Sequence, residues 1–82
     1  RVRVAPNPFG QITNFEIELS QRGEYQFQVF DLNGKEVKNE RLLLKEGINR
    51  FSFDGSALPK GFYSYRLFND RGFLSGKIIK TR

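Results

Sequence analysis

The sequence predicts an all-β protein, an Ig-like antiparallel β-sandwich of about seven strands, with a closed barrel as the alternative. Three features carry that expectation. Apolar side chains recur at every second position in run after run, as in Phe15, Ile17 and Leu19 or Tyr63, Tyr65 and Leu67. That is the period of a strand with one buried face. Clusters of Gly, Pro, Asn, Asp and Ser separate the runs at intervals of roughly 8–12 residues, the spacing of short antiparallel strands. Sustained helical periodicity is absent, so no helical layer is expected.

Taken in order, Val2 to Ala5 reads as a short first strand, stopped by Pro6-Asn7-Pro8-Phe9-Gly10. The two prolines remove two backbone donors and hold the chain extended or turned, and Phe9 is the one side chain there able to anchor the loop. Thr13, Phe15, Ile17 and Leu19 form a second strand, and Ser20-Gln21-Arg22-Gly23 turns the chain. Tyr25, Phe27 and Val29 make a third. Asn33-Gly34 is a hairpin signal, with the return strand from Lys35 to about Asn39. The run Leu42-Leu43-Leu44 reads equally as a buried strand or as a loop packed on the core.

Beyond the turn at Lys45-Glu46-Gly47, Ile48 to Phe53 and Tyr63 to Leu67 read as an aromatic-rich central pair to which the other strands are added. Asp54-Gly55-Ser56 and Leu58-Pro59-Lys60-Gly61 are the turn residues between them, with Pro59 suited to the second position of a type I turn and Gly61 to the fourth. Asn69-Asp70-Arg71-Gly72 closes another hairpin, and Phe73 to Lys80 is the last strand. The expected core is Phe15, Ile17, Tyr25, Phe27, Val29, Phe51, Phe53, Tyr63, Tyr65 and Leu67.

An 82-residue chain is one domain, near the lower end of what folds without staples. It has no Cys and no His, so disulfides and the commonest metal ligands are excluded. Packing must supply the stability, and nine Phe and three Tyr suit that need, each burying ~150–250 Å². No apolar run reaches the ~20 residues of a membrane span. The chain opens in a strand and shows no signal peptide, so it is read as the end piece of a longer protein. Its net charge of +5 is scattered along strands, the pattern of a solvated outer face. A monomer without a nucleic-acid partner is expected.

Catalysis has little to build on. Triads and imidazole chemistry need residues that are missing. Glu16 and Glu18 share a strand face that reads as exposed, which does not separate two carboxylate pKa values. Asp31, Asn33 and Gly34 echo a calcium loop without its remaining ligands. Lys60-Gly61-Phe62-Tyr63-Ser64-Tyr65 opens like an RNA-recognition strand and departs from it after Phe62. No catalytic, cofactor or metal residues are assigned. Phe62 and Phe68 fall on the side opposite the core, as a second apolar layer or a contact patch.

One ordered set of motifs runs through the chain. Pro6-Asn7-Pro8-Phe9 leads, then Val29-Phe30-Asp31, Gly34-Lys35 and Val37. Gly47-Ile48-Asn49, Asp54, Leu58 and Gly61-Phe62-Tyr63-Ser64-Tyr65 follow, and Gly76-Lys77-Ile78-Ile79-Lys80 closes. In order and spacing this resembles the type A C-terminal sorting domain of proteins exported by the type IX secretion system of Bacteroidetes. Departures are mild: Ala5 stands where an aromatic is common, Phe30 for Tyr, Lys35 for Arg and Phe53 for Trp, and Thr81-Arg82 follow Lys80.

The resemblance implies an Ig-like address domain at the end of a secreted cargo. Its implied partners are outer-membrane components of the secretion machinery and a sortase-like protease that removes the domain. The cargo is then left at the cell surface or outside the cell. Within this frame Gly76, Lys77, Ile78, Ile79 and Lys80 are the expected address. One Ile should point inward and the other out between basic residues, with Gly76 permitting close approach of a partner backbone. Pro6, Asn7, Pro8, Phe9, Asp54, Leu58, Gly61 and Tyr63 are the expected motif loops. The alternative function is a carbohydrate-binding or adhesive Ig-like module using Phe62 and Phe68 as its platform.

Overall fold

A computed structural model describes all 82 residues. The chain forms seven strands and no helix: β1 (Val2–Ala5), β2 (Ile12–Leu19), β3 (Gly23–Phe30), β4 (Glu36–Leu44), β5 (Gly47–Asp54), β6 (Gly61–Asn69) and β7 (Gly72–Lys80). They make two antiparallel sheets, β1-β2-β5 and β4-β3-β6-β7, packed as a sandwich. The arrangement is Ig-like, with the fourth strand on the opposite sheet from the constant-type pattern. Glu36–Asn39 and Arg41–Leu44 belong to one strand, whose Leu42 and Leu44 are half-buried while Leu43 points into solvent.

The expected central pair is not a pair. β5 hydrogen-bonds to β2, whereas β6 lies between β3 and β7 in the other sheet. Of the expected turn residues, the Asp54-Gly55-Ser56 group is the one that bends the chain. Leu58 N–H donates to the Gly55 carbonyl at 2.9 Å and Ser56 N–H to Asp54 Oδ1 at 2.9 Å, so the chain bends at Gly55–Leu58 and continues through Pro59. A connection of that length can change sheets. Crossing over lets each strand pack its aromatics on the facing sheet: Phe51 and Phe53 of β5 meet Phe27 of β3, and Tyr65 of β6 meets Phe15 of β2.

Polar side chains pin the crossings. Tyr25 and Tyr63 each begin a strand that has just crossed, and each hydroxyl donates to a carbonyl four residues upstream, Gln21 at 3.3 Å and Pro59 at 2.5 Å. Both have the geometry of a tyrosine corner. The return crossing from β4 to β5 is tied by Asn49, which is buried. Its Oδ1 accepts from Lys45 N–H at 3.0 Å and its Nδ2 donates to the Lys45 carbonyl at 2.9 Å. Gly47, at φ +97°, supplies the left-handed turn before it. The Asp31–Lys35 loop is a hairpin turn: Asp31 Oδ1 accepts the N–H groups of Asn33 and Lys35, both at 2.9 Å.

Phe15 lies at the centre of the core. It stacks on Phe51 at 5.2 Å and meets Phe27 and Tyr65 edge-on at 5.1 and 4.9 Å between ring centroids. These are the favoured aromatic geometries. Of the expected core, Tyr25 and Phe51 are half-buried and the others are buried. Phe9, from the loop, and Ile78, from β7, complete it.

Burial pushes the phenol of Tyr65 up, and burial followed by the Asp31 charge does the same for Tyr63. A raised folded-state pKa means that the folded protein holds these protons more tightly than the unfolded chain. Their contribution is therefore intact below the ordinary phenol value of 10.0 and lost as pH rises above it. The melting temperature should fall on alkaline titration, and Tyr65→Phe should flatten that fall. A melting temperature equally steep in the variant would assign the loss to other groups.

Candidate recognition site

The expected motif loops and the expected address strand form one corner of the molecule. β7 is an edge strand paired inward with β6, and along its outer edge lies the Asn7–Phe9 segment. Asn7 Nδ2 donates to the Lys77 carbonyl at 3.1 Å, and Asn7 Oδ1 accepts from Ile79 N–H at 2.9 Å. One amide side chain thus imitates a piece of paired strand. Phe9 N–H donates to the Ile79 carbonyl and Thr81 N–H to the Phe9 carbonyl, both at 2.9 Å, and the Thr81 hydroxyl adds a bond to Phe9 O at 3.1 Å. Pro6 and Pro8, in cis peptide bonds, bracket this clip. The buried Thr13 hydroxyl donates to the Pro6 carbonyl at 2.6 Å, tying the clip to β2.

Inside the corner, the Phe9 ring packs edge-on against Phe53 at 6.2 Å. Gly55 makes room for it: a Cβ there would lie 3.1 Å from Phe9 Cε2. Gly55 N–H also donates to the Gln11 carbonyl at 2.9 Å. Asp54 is exposed, and its carboxyl is held below the usual carboxylate range by the Ser56 N–H and hydroxyl, with the Lys80 charge adding to the effect. Leu58 is half-buried against the core, Tyr63 is buried, and Gly61 pairs across the ladder with Lys80.

The structure adds a constraint at Gly76 and corrects the expectation for Lys80. Tyr65 covers the inner face of Gly76, where a side chain would stand. A Cβ on Gly76 would lie 2.7 Å from Tyr65 Cζ, so the glycine is required by the domain's own core, an aromatic ring covering a cross-strand glycine. Lys80 is not a surface base. It is 4% exposed and faces inward with Ile78, its Nζ donating to the Arg82 backbone oxygen. The strand pleat dictates this, since even-numbered β7 residues point into the sandwich. Ile78 is fully buried; Lys77 is exposed, and Ile79 is half-buried on the outer face opposite Phe62.

The outer face of β6 carries Phe62 and Phe68 at its two ends, with Ser64 and Arg66 between them. They do not form one platform. Arg66 covers the Phe68 ring at 4.2 Å, and Phe62 is 57% exposed. Glu16 is engaged by Arg50 at 3.1 Å on the solvent face of β2, and no group of three or more His, Cys, Asp or Glu side chains gathers anywhere. The roles of Asn7, Thr13 and Asn49 were not legible as chemistry. The only sequence signal for them is a polar residue inside a motif or an otherwise apolar face.

No curated protein is matched by the chain. A family profile described as the secretion system C-terminal sorting domain matches residues 3–81. The matched span contains β1 from Arg3 through β7 and the whole Asn7–Thr81 corner. The chain therefore belongs to the family of secretion system C-terminal sorting domains, the address domains of type IX secretion.

Proposed function

We propose that this domain is read by the type IX machinery through the corner where Pro6–Phe9, Asp54–Gly61 and Gly76–Lys80 meet. A sortase-like protease then removes it, leaving the cargo attached at the cell surface. The domain itself performs no catalysis. The observation that carries this reading is the pair of bonds from Asn7 to Lys77 and Ile79, which joins two motifs about 70 residues apart into a single surface. The clip fixes the register of the strand and holds Lys77 and Ile79 on one outer face for a partner to read.

The test is export of a reporter fused to the domain in a type IX-competent bacterium. Deleting Lys77 to Arg82 should abolish export, but it also removes Ile78 from the core, so lost folding would mimic lost recognition. Ile79→Ser separates the two, since that side chain lies on the outer face and is only half-buried. The purified variant should still melt cooperatively while its export falls. Full export of a folded Ile79→Ser fusion, and of a truncated domain shown to be folded, would move recognition away from the terminal strand.

A further inference from the structure

The sandwich has four edge strands, and they are not equally protected. β1 is four residues long. β4 is lined with Glu36, Lys38, Glu40 and Arg41, and β5 carries Arg50 at its middle. Short or charged strands resist further pairing. β7 is guarded differently along its length. The outward groups of Lys77 O, Ile79 and Thr81 are occupied by Asn7 and Phe9. Backbone direction alternates along a strand, so the amide and carbonyl groups of Phe73 and Ser75, and the Lys77 N–H, also point outward. Gly72-Phe73-Leu74-Ser75-Gly76 contains neither a charge nor a proline. Nothing covers this half of the edge.

We propose that the Phe73–Lys77 edge of β7 receives an extended segment of a partner protein by strand addition, and that this segment alternates acidic and apolar side chains. The proposal rests on the sorting reading above and names the way the machinery engages the domain. The chemistry of the partner follows from its two sides. Its inward residues would meet a cavity of about 270 Å³ whose lining is part apolar, at Leu19, Tyr25, Leu67 and Leu74, and part charged, at Arg1, Glu18 and Arg71. Phe73 is 70% exposed at its rim. Its outward residues would stand beside Arg66 and Lys77, because β6 and β7 contain no Asp or Glu at all. A domain of net charge +5 attracts an acidic strand and repels a basic one. The clip sets the limit of the docking groove: the partner adds where Asn7 stops.

The wild-type fusion and four variants test this in the export assay, each purified domain being melted in parallel. Ser75→Pro removes only an outward amide, a position where an edge strand tolerates proline. Ser75→Glu places a negative guard charge on the edge, facing the acidic side chains of the partner. Both should cut export about tenfold, the first by the loss of one main-chain hydrogen bond and the second by like-charge repulsion. Lys77→Glu should lower export while Lys77→Arg preserves it. If Ser75→Pro does not fold, Ser75→Glu decides, since that side chain is exposed. A wild-type fusion retained in the cell overturns the sorting reading and the edge together. A wild-type fusion exported alongside folded Ser75 variants at equal levels overturns the edge alone. Equal export of Lys77→Glu overturns the acidic partner. A purified domain that dimerises, and that Ser75→Pro returns to monomer, gives the edge to a second copy and overturns the proposal as well.

Discussion

Phe15→Ala should lower the unfolding free energy by about 3–5 kcal/mol, the cost of removing a buried ring and leaving its cavity. Phe15 is 1% exposed and stands among Phe27, Phe51 and Tyr65 with centroids 4.9 to 5.2 Å away. It therefore joins the two sheets at their midpoint. Its neighbours come from three different strands and are held by their own ladders, which limits how far the site can collapse. A domain of this size has only ~5–15 kcal/mol to lose, so the variant should be partly unfolded at room temperature. Denaturant titration checks it: the midpoint should fall sharply with the slope unchanged. Phe15→Leu, closer in volume, should cost clearly less. An Ala variant as stable as the parent would mean that the aromatic cluster is not the core.

The second large effect is expected at Gly76. Gly76→Ala should destabilise by about 1–3 kcal/mol through overpacking, and Gly76→Val by more, because the added atoms enter the Tyr65 ring. This is the reverse of the usual outcome in a strand, where replacing Gly adds packing and removes chain entropy. The sign depends on one neighbour, so a double-mutant cycle isolates it. In a Tyr65→Leu background, Gly76→Ala should become neutral or stabilising. If Gly76→Ala left the melting temperature unchanged and reduced export alone, the glycine would be serving a partner after all, and the Tyr65 explanation would fall.

Local pattern was enough to locate six strands, the first half of β4 and most turns, and left Arg41–Leu44 open as strand or loop. The alternation at Phe15-Ile17 and Phe27-Val29, the Asn33-Gly34 turn and the split between inward Ile78 and outward Ile79 are consequences of a two-residue pleat, and a pleat can be read from neighbouring residues. The motif order also placed the chain in its family, because the loops stand at set intervals along one chain. Which strands pair is a different kind of fact. Phe51–Phe53 and Tyr63–Leu67 are equally good as a hairpin or as facing layers; burying Phe51 and Phe53 against β3 and Tyr65 against β2 put them in opposite sheets. Phe9 reads as a loop anchor and is in fact core, because Gly55, some 46 positions later, leaves a hole for its ring. Asn7 gains its role from Lys77 and Ile79, up to 72 residues away. Lys80 looks like a surface base and is buried by strand parity and by that same corner. Local chemistry determined the elements. Only their closure in space, where side chains distant in the chain compete for the same interior, decided which of them became core, clip or open edge.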